Sequence, residues 1–116
     1  MVVEKDQGIR DLTVNALSYC VNRDVIAFED GLKAWQYLED GNRADLVIAE
    51  ADLPGMDGLT FLEKFKARWT AGVFILTSDR EEPGAEARAS GADAFLVKPY
   101  TINDLFAIVQ QFVVNG

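Results

Sequence analysis

The sequence of 116 residues contains no histidine, only one cysteine (Cys20) and no apolar run long enough to span a bilayer. Without histidine, imidazole acid–base catalysis and histidine-ligated metal sites are excluded for this chain. One cysteine cannot form an internal disulfide bond, and its apolar helical surroundings predict a small buried side chain. The N-terminus has no signal-peptide pattern. We therefore expect a cytoplasmic protein that makes no contact with membranes.

Basic residues are also scarce, because 11 lysines and arginines stand against 19 acidic residues and give a net charge of −8. A nucleic-acid backbone requires clustered basic side chains, so we do not expect this domain to bind nucleic acid directly. The apolar fraction of 49% and the charged fraction of 26% are typical of a globular domain. No linker, repeat or low-complexity segment interrupts the chain, so residues 1–116 are predicted to form a single domain.

Short apolar runs alternate with helical patterns along the whole chain. The predicted strands cover 1–3, 25–28, 46–49, 73–76 and 94–97. The predicted helices cover 8–21, 31–38, a segment capped by Asp57, 81–89 and a last segment capped by Thr101. Continuous apolar strands are typical of a parallel sheet that is covered on both faces. Five such units predict a doubly wound α/β domain.

In parallel sheets of this kind, function gathers at the carboxyl ends of the strands. The side chains directly after the apolar runs are therefore the candidate site residues. They are Glu4, Lys5, Asp6, Glu50, Asp52, Thr77, Ser78, Lys98 and Pro99.

Five motifs in these places resemble the receiver domains of two-component response regulators. They are Val2-Val3-Glu4-Lys5-Asp6, Leu53-Pro54-Gly55-Met56-Asp57-Gly58, Ile75-Leu76-Thr77-Ser78, Ser90-Gly91-Ala92-Asp93 and Ala94-Phe95-Leu96-Val97-Lys98-Pro99-Tyr100. The resemblance implies a flavodoxin-like three-layer sandwich with five helices and strand order 2-1-3-4-5. It also implies a cis peptide bond before Pro99 and a bacterial, non-enzymatic signalling module.

Two positions depart from the pattern that the resemblance implies. Glu50 stands where the phosphoacceptor aspartate is expected, and Lys5 replaces one of two acidic metal ligands. Asp6 lies one place further along, so we expect its side chain to point elsewhere. Glu4 and Glu50 are balanced by Lys5 and Lys98, which leaves a neutral site where Mg²⁺ would gain little. We therefore expect Mg²⁺ binding at the remnant site of Glu4, Glu50 and Asp52 to be weak or absent, and no cofactor.

Glu50 has a further consequence, because its carboxylate lies one methylene further from the backbone than that of aspartate. It cannot hold the geometry of an aspartyl phosphate, yet it places charge towards the position of a phosphoryl group. The resemblance then implies an active-like state in which Thr77 hydrogen-bonds Glu50, Lys98 pairs with it and Phe95 turns inward. Asp52 is expected to matter through its backbone carbonyl rather than its side chain.

Three functions remain open from the sequence. The first is a pseudo-receiver that binds a kinase, an output domain or its own copy through the face of the fourth helix, fifth strand and fifth helix. Tyr100 and Ile108 are the candidate contacts on that face. The second is a phosphorylatable receiver in which Glu50 is an engineered phosphomimic or Asp52 is the acceptor. The third, a small-ligand binder of flavodoxin-like fold, is disfavoured because no glycine-rich phosphate loop follows a strand.

Overall fold

A computed structural model of the protein describes residues 1–21 and 24–113. Five parallel strands form one sheet in the order β2-β1-β3-β4-β5, as predicted. The strands are β1 (Val2–Val3), β2 (Ala27–Phe28), β3 (Leu46–Glu50), β4 (Val73–Ser78) and β5 (Ala94–Val97). The helices are α1 (Gln7–Cys20), α2 (Gly31–Glu39), α3 (Gly58–Arg68), α4 (Pro83–Ala89) and α5 (Ile102–Val113).

The sheet lies between two helical layers, each with its own apolar core. One core contains Val2, Ile48 and Ile75 of the sheet and packs against α1 and α5. The other contains Val3 and Phe74 and packs against α2, α3 and α4. Neighbouring residues of a strand point to opposite faces, so Val2 and Val3 enter different cores. This burial on both faces explains why the central strands read as continuous apolar runs.

Side-chain caps fix the helix starts beside the carboxyl edge of the sheet. The Asp6 carboxylate accepts a hydrogen bond from the Ile9 amide (2.9 Å), so this side chain caps α1. The predicted cap of α3 is present, because the Asp57 carboxylate accepts from the Thr60 amide (2.9 Å). Thr101 and Asp104 exchange backbone-to-side-chain hydrogen bonds and form a capping box at the start of α5. These caps hold the loops that carry the site residues.

Several sequence predictions need correction. Helix α4 begins at Pro83 rather than at residue 81, because proline is favoured in the first helical turn and lacks the amide that a later position needs. Leu12 and Leu32 fit the helical apolar pattern but are 41% exposed, since each lies at the edge of the buried stripe. Cys20 is half-buried rather than buried.

In the part of the chain that the structure describes, no helix is long and apolar enough to cross a membrane.

Candidate functional site

Two carboxylates meet at the carboxyl edge of the sheet because β1 and β3 are neighbours. Val3 pairs with Ala49, so Glu4 and Glu50 follow at the same level of adjacent strands. Only 3% of Glu4 and 4% of Glu50 is exposed to solvent. Burying two negative charges side by side is costly unless a cation compensates them.

Lys98 supplies this compensation from the end of β5. Its amide donates to the Ser78 carbonyl oxygen (2.7 Å), which continues the pairing of β5 with β4 and sets the direction of the side chain. The ammonium nitrogen lies 2.6 Å from Glu4 Oε1 and 2.9 Å from Glu50 Oε1. The Lys98 side chain is 11% exposed, so these contacts are largely shielded from water. Lys98 thus bridges both buried carboxylates with one ammonium group.

Lys5 adds a second positive charge at the rim of the site. Its ammonium lies 3.5 Å from Glu50 Oε1, and its amide donates to Glu50 Oε2 at 3.5 Å. The remaining Glu4 oxygen, Oε2, accepts from the Asp6 amide (3.0 Å). Two carboxylates and two ammonium groups sum to zero formal charge.

Burial and mutual contact move the pKa values of these groups in different directions. Burial raises the pKa of Glu4, and the hydrogen bond with Glu50 raises it further, while Lys98 acts in the opposite direction. Burial also disfavours the charged form of Glu50, but Glu4, Lys98 and Lys5 together hold the pKa of Glu50 below its usual range. Burial alone would lower the pKa of Lys98, yet its hydrogen bonds with Glu4 and Glu50 raise it. Lys98 therefore remains charged at neutral pH, and Glu4 takes up a proton before Glu50.

The other acidic candidates do not join this network. The Asp6 carboxylate caps α1 and so points away from Glu4 and Glu50, as expected. The Asp52 side chain is exposed and lies 3.7 Å from the Arg80 guanidinium. Within residues 1–21 and 24–113, no group of three or more acidic or thiol side chains is placed to hold a metal ion.

In the described part of the chain, the Thr77 hydroxyl makes no hydrogen bond with the Glu50 carboxylate, so that prediction was wrong. Thr77 is buried and pairs with Glu50 in the β3–β4 register, and its carbonyl oxygen accepts from the Ala51 amide (2.8 Å). The Glu50 carboxylate instead turns towards Lys98 and Lys5, because their charges attract it more strongly than a neutral hydroxyl does.

Phe95 is half-buried and packs against the core that contains α4. A Cβ atom added to Gly84 of α4 would lie 3.0 Å from the Phe95 ring, so the ring lies directly on this glycine. The Phe95 ring therefore packs inward, against α4. Gly84 was not among the predicted site residues, although a glycine in the first turn of a helix is a signal for such a close approach.

Tyr100, a candidate contact on the face formed by α4, β5 and α5, is half-buried and forms a hydrogen bond with α1. The Thr13 hydroxyl donates its one proton to the Ile9 carbonyl oxygen (2.7 Å). In its contact with Tyr100 (2.9 Å) Thr13 Oγ1 is therefore the acceptor, and the Tyr100 hydroxyl is the donor. The phenol hydroxyl of Tyr100 is thus engaged within the fold, on a buried threonine of α1. Ile108 is half-buried against the core between α1 and α5. The peptide bond between Lys98 and Pro99 is cis.

Gly58, which belongs to the Leu53–Gly58 motif but was not among the candidate site residues, packs directly against the backbone of Glu50. A Cβ atom at Gly58 would lie 2.1 Å from the Glu50 carbonyl oxygen. Only a glycine allows the start of α3 to approach the end of β3 so closely. The glycine therefore sets where the Glu50 backbone lies beneath the site.

Comparison with known proteins agrees with this architecture. The family model for the response regulator receiver domain matches residues 1–110. The two-component response regulator-like protein PRR37 of Oryza sativa subsp. indica is 31% identical over 110 residues, which is 90% of this chain and 15% of that protein. Chemotaxis protein CheY1 of Helicobacter pylori strain J99 is 27% identical over 105 residues, which is 87% of this chain and 85% of that protein. The chain thus spans only a small part of the rice relative.

Solved structures share the fold. The response regulatory domain of protein mrkE from Klebsiella pneumoniae superposes with a TM-score of 0.88 at 18% identity and covers 96% of this chain and 91% of that chain. The receiver domain of NtrX from Brucella abortus superposes with a TM-score of 0.86 at 24% identity and covers 99% and 98%. At these identities the similarity establishes the fold alone.

Proposed function

The chain belongs to the response regulator receiver domain family of two-component signalling, and on that premise we propose that it is a degenerate receiver that works without phosphorylation. In this proposal the domain has no enzymatic activity and regulates other proteins by direct contact. The observation that carries the proposal is the position of Lys98, whose ammonium bridges the buried carboxylates of Glu4 and Glu50 at 2.6 and 2.9 Å.

The residues at this site do not fit a Mg²⁺ ion. Mg²⁺ requires oxygen ligands in near-octahedral geometry and is held in proteins by carboxylates that other cations leave free. Here both carboxylates already accept hydrogen bonds from lysine ammonium groups, and the local charge is zero. Asp6 and Asp52 are directed to α1 and Arg80 instead. A divalent ion would have to displace Lys98 from two buried contacts, so we expect its binding to be weak or absent.

Phosphoryl transfer is disfavoured for the same reason and for a second one. Without a metal ion, the charge of the transferring phosphoryl group is left largely uncompensated. Glu50 is also fixed by Lys98, Lys5 and the Lys5 amide, so its carboxylate is not free to attack a phosphorus atom in line. The network of Glu4, Lys5, Glu50 and Lys98 therefore holds a constitutive arrangement that no phosphoryl group changes.

The partners that we propose are other protein domains: a kinase, an output domain or a second copy. The face formed by α4, β5 and α5 offers exposed apolar side chains for such a contact, because Val97 is 37% exposed and Ile102 43%. These two residues replace Tyr100 as candidate contacts. Isolated exposed apolar residues are common, so these two support the proposal together with the family and not by themselves. The acidic charge of the domain disfavours direct contact with nucleic acid.

Incubation with acetyl phosphate and Mg²⁺, followed by intact-mass measurement, tests the proposal. We expect no phosphoryl adduct on the wild type and accumulation of an adduct on the double variant Lys5→Asp/Glu50→Asp, which recovers the acidic site. An adduct on Glu50→Asp alone would support the alternative in which Glu50 is only a phosphomimic. A wild-type adduct that peptide fragmentation assigns to Asp52 would contradict the proposal.

A further inference from the structure

The only two tryptophans of the chain meet where α2 lies beside α3. Trp35 of α2 is buried, and Trp69, which directly follows α3, is half-buried. Their ring centroids are 6.2 Å apart with an interplanar angle of 72°, which is the favourable edge-to-face arrangement. Helix α3 begins at Gly58, beside the backbone of Glu50, and Trp69 lies about 16 Å further along the helix axis at 1.5 Å per residue. This surface is therefore separate from the Glu4–Glu50–Lys98 network.

Two basic side chains of α3 lie on these rings. The Arg68 guanidinium carbon is 4.6 Å from the Trp69 ring centroid and 5.8 Å from that of Trp35. The Lys64 ammonium is 5.7 Å from the Trp35 ring centroid. Both side chains are exposed, and cation–π contacts hold them in place over the rings. Like charges four residues apart repel on an isolated helix, so their common placement needs an explanation.

Neither of these cations has an acidic partner in the described part of the chain, although the protein has an excess of acids. The basic residues that do form ion pairs there are Lys5, Lys33, Arg43, Lys66, Arg80 and Lys98. Arg68 is stacked on an indole ring, which leaves its N–H edge free to meet a planar acceptor. Within residues 1–21 and 24–113, the indole N–H of Trp35 also has no hydrogen-bond acceptor. Every fully buried polar side-chain atom in this part of the chain has a partner, so the Trp35 N–H must be reached by solvent.

We infer that this surface, the tryptophan patch of Trp35, Lys64, Arg68 and Trp69, binds an acidic segment of a partner protein. Carboxylates fit the free edge of a stacked guanidinium in bidentate fashion, and apolar side chains of the segment fit the half-exposed Trp69 ring. A nucleic acid is disfavoured, because two cations neutralise few phosphates while the net charge of −8 repels a polyanion. The short, local charge of a carboxylate-bearing peptide avoids that repulsion.

Tryptophan fluorescence reports on this surface alone, since both tryptophans belong to it. The wild-type protein is titrated with a blocked peptide in which glutamate alternates with leucine, and with a matched peptide in which glutamine replaces glutamate. We expect a saturable change in emission with the glutamate peptide, weakening as salt rises, and a much weaker response with the glutamine peptide. The variant Lys64→Gln/Arg68→Gln should bind the glutamate peptide about tenfold more weakly, since one exposed charge contributes up to about fivefold.

Arg88→Gln is the matched control, because Arg88 is an exposed cation on α4 without an ion pair in the described residues. It should leave the affinity unchanged, and circular dichroism should show that all variants are folded. Equal binding of the two peptides, no saturable response, or undiminished binding by the double variant would overturn the inference. Binding of a single-stranded oligothymidylate in preference to the glutamate peptide would show that the surface recognises nucleic acid instead.

Discussion

Replacing Lys98 by methionine removes the cation that bridges Glu4 and Glu50 while keeping a side chain of similar length. Both carboxylates remain almost fully buried. Among the residues that the structure describes, the one ammonium group left in contact with Glu50 is that of Lys5, which is half exposed and 3.5 Å away. Removing one partner of a buried ion pair typically costs about 3–5 kcal/mol, because an uncompensated charge stays in the interior. We expect a loss in the free energy of unfolding of about that size at neutral pH.

The loss should depend on pH in a defined direction. Without Lys98, the two buried carboxylates repel each other when both are charged. This repulsion and their burial raise the pKa of at least one of them above the ordinary value of 4.5. A group whose pKa is raised on folding stabilises the fold fully below its unfolded pKa, and that contribution disappears as the pH rises through the folded pKa. The variant should therefore lose less stability relative to wild type near pH 5 than near pH 8.

Urea unfolding of wild type and Lys98→Met at both pH values measures this difference. Lys33→Met is the matched control, because the Lys33–Glu29 ion pair is exposed to solvent and its loss should be hardly measurable. If Lys98→Met costs no more than Lys33→Met, or costs the same at pH 5 and pH 8, the reasoning about the buried network is refuted.

Three further predictions concern the same edge of the sheet. Folding raises the pKa of Lys98 above its ordinary value of 10.5. Its contribution to the free energy of unfolding is therefore complete below pH 10.5 and should be lost as the pH rises through the higher folded pKa, and urea unfolding at rising pH measures this loss. Gly58→Ala places a methyl group against the Glu50 carbonyl oxygen and should cost about 1–3 kcal/mol in urea unfolding, whereas Gly8→Ala, which meets only the Asp6 carboxylate at 3.3 Å, should cost clearly less. Asp57→Ala removes the cap of α3 and should lower the free energy of unfolding by about 1 kcal/mol, which thermal or urea unfolding would detect; an unchanged value would contradict the capping.

The strands, their order and the principal ion pair could be foreseen, because each depends on a strong local signal or on strand register. Continuous apolar runs located the central strands, and the resemblance to receiver domains supplied their order. Glu50 ends β3 and Lys98 follows β5, so both lie at the carboxyl edge of the sheet on either side of β4, which the long lysine side chain can cross. Asp57 was foreseen as a cap for the same kind of local reason.

Side-chain directions could not be foreseen where two partners compete for one group. The Glu50 carboxylate had both Thr77 and the two lysines within possible reach, and only their relative placement in space decides between them. Tyr100 turned to Thr13, which is 87 residues away in sequence and offers an acceptor that no local pattern reveals. The close approach of Gly58 to Glu50 likewise depends on how α3 packs at the end of β3.

The central claim, that the site is closed to metal and phosphate, is tested most directly by backbone amide NMR. The protein is titrated first with Mg²⁺ and then with Mg²⁺ and beryllofluoride, a mimic of a bound phosphoryl group. Because Lys98 and Lys5 already compensate Glu4 and Glu50, we predict that the amides of Glu4, Glu50 and Thr77 do not shift. Shifts at these amides that spread to Phe95 and α5 would show a ligand-driven switch and would contradict the account.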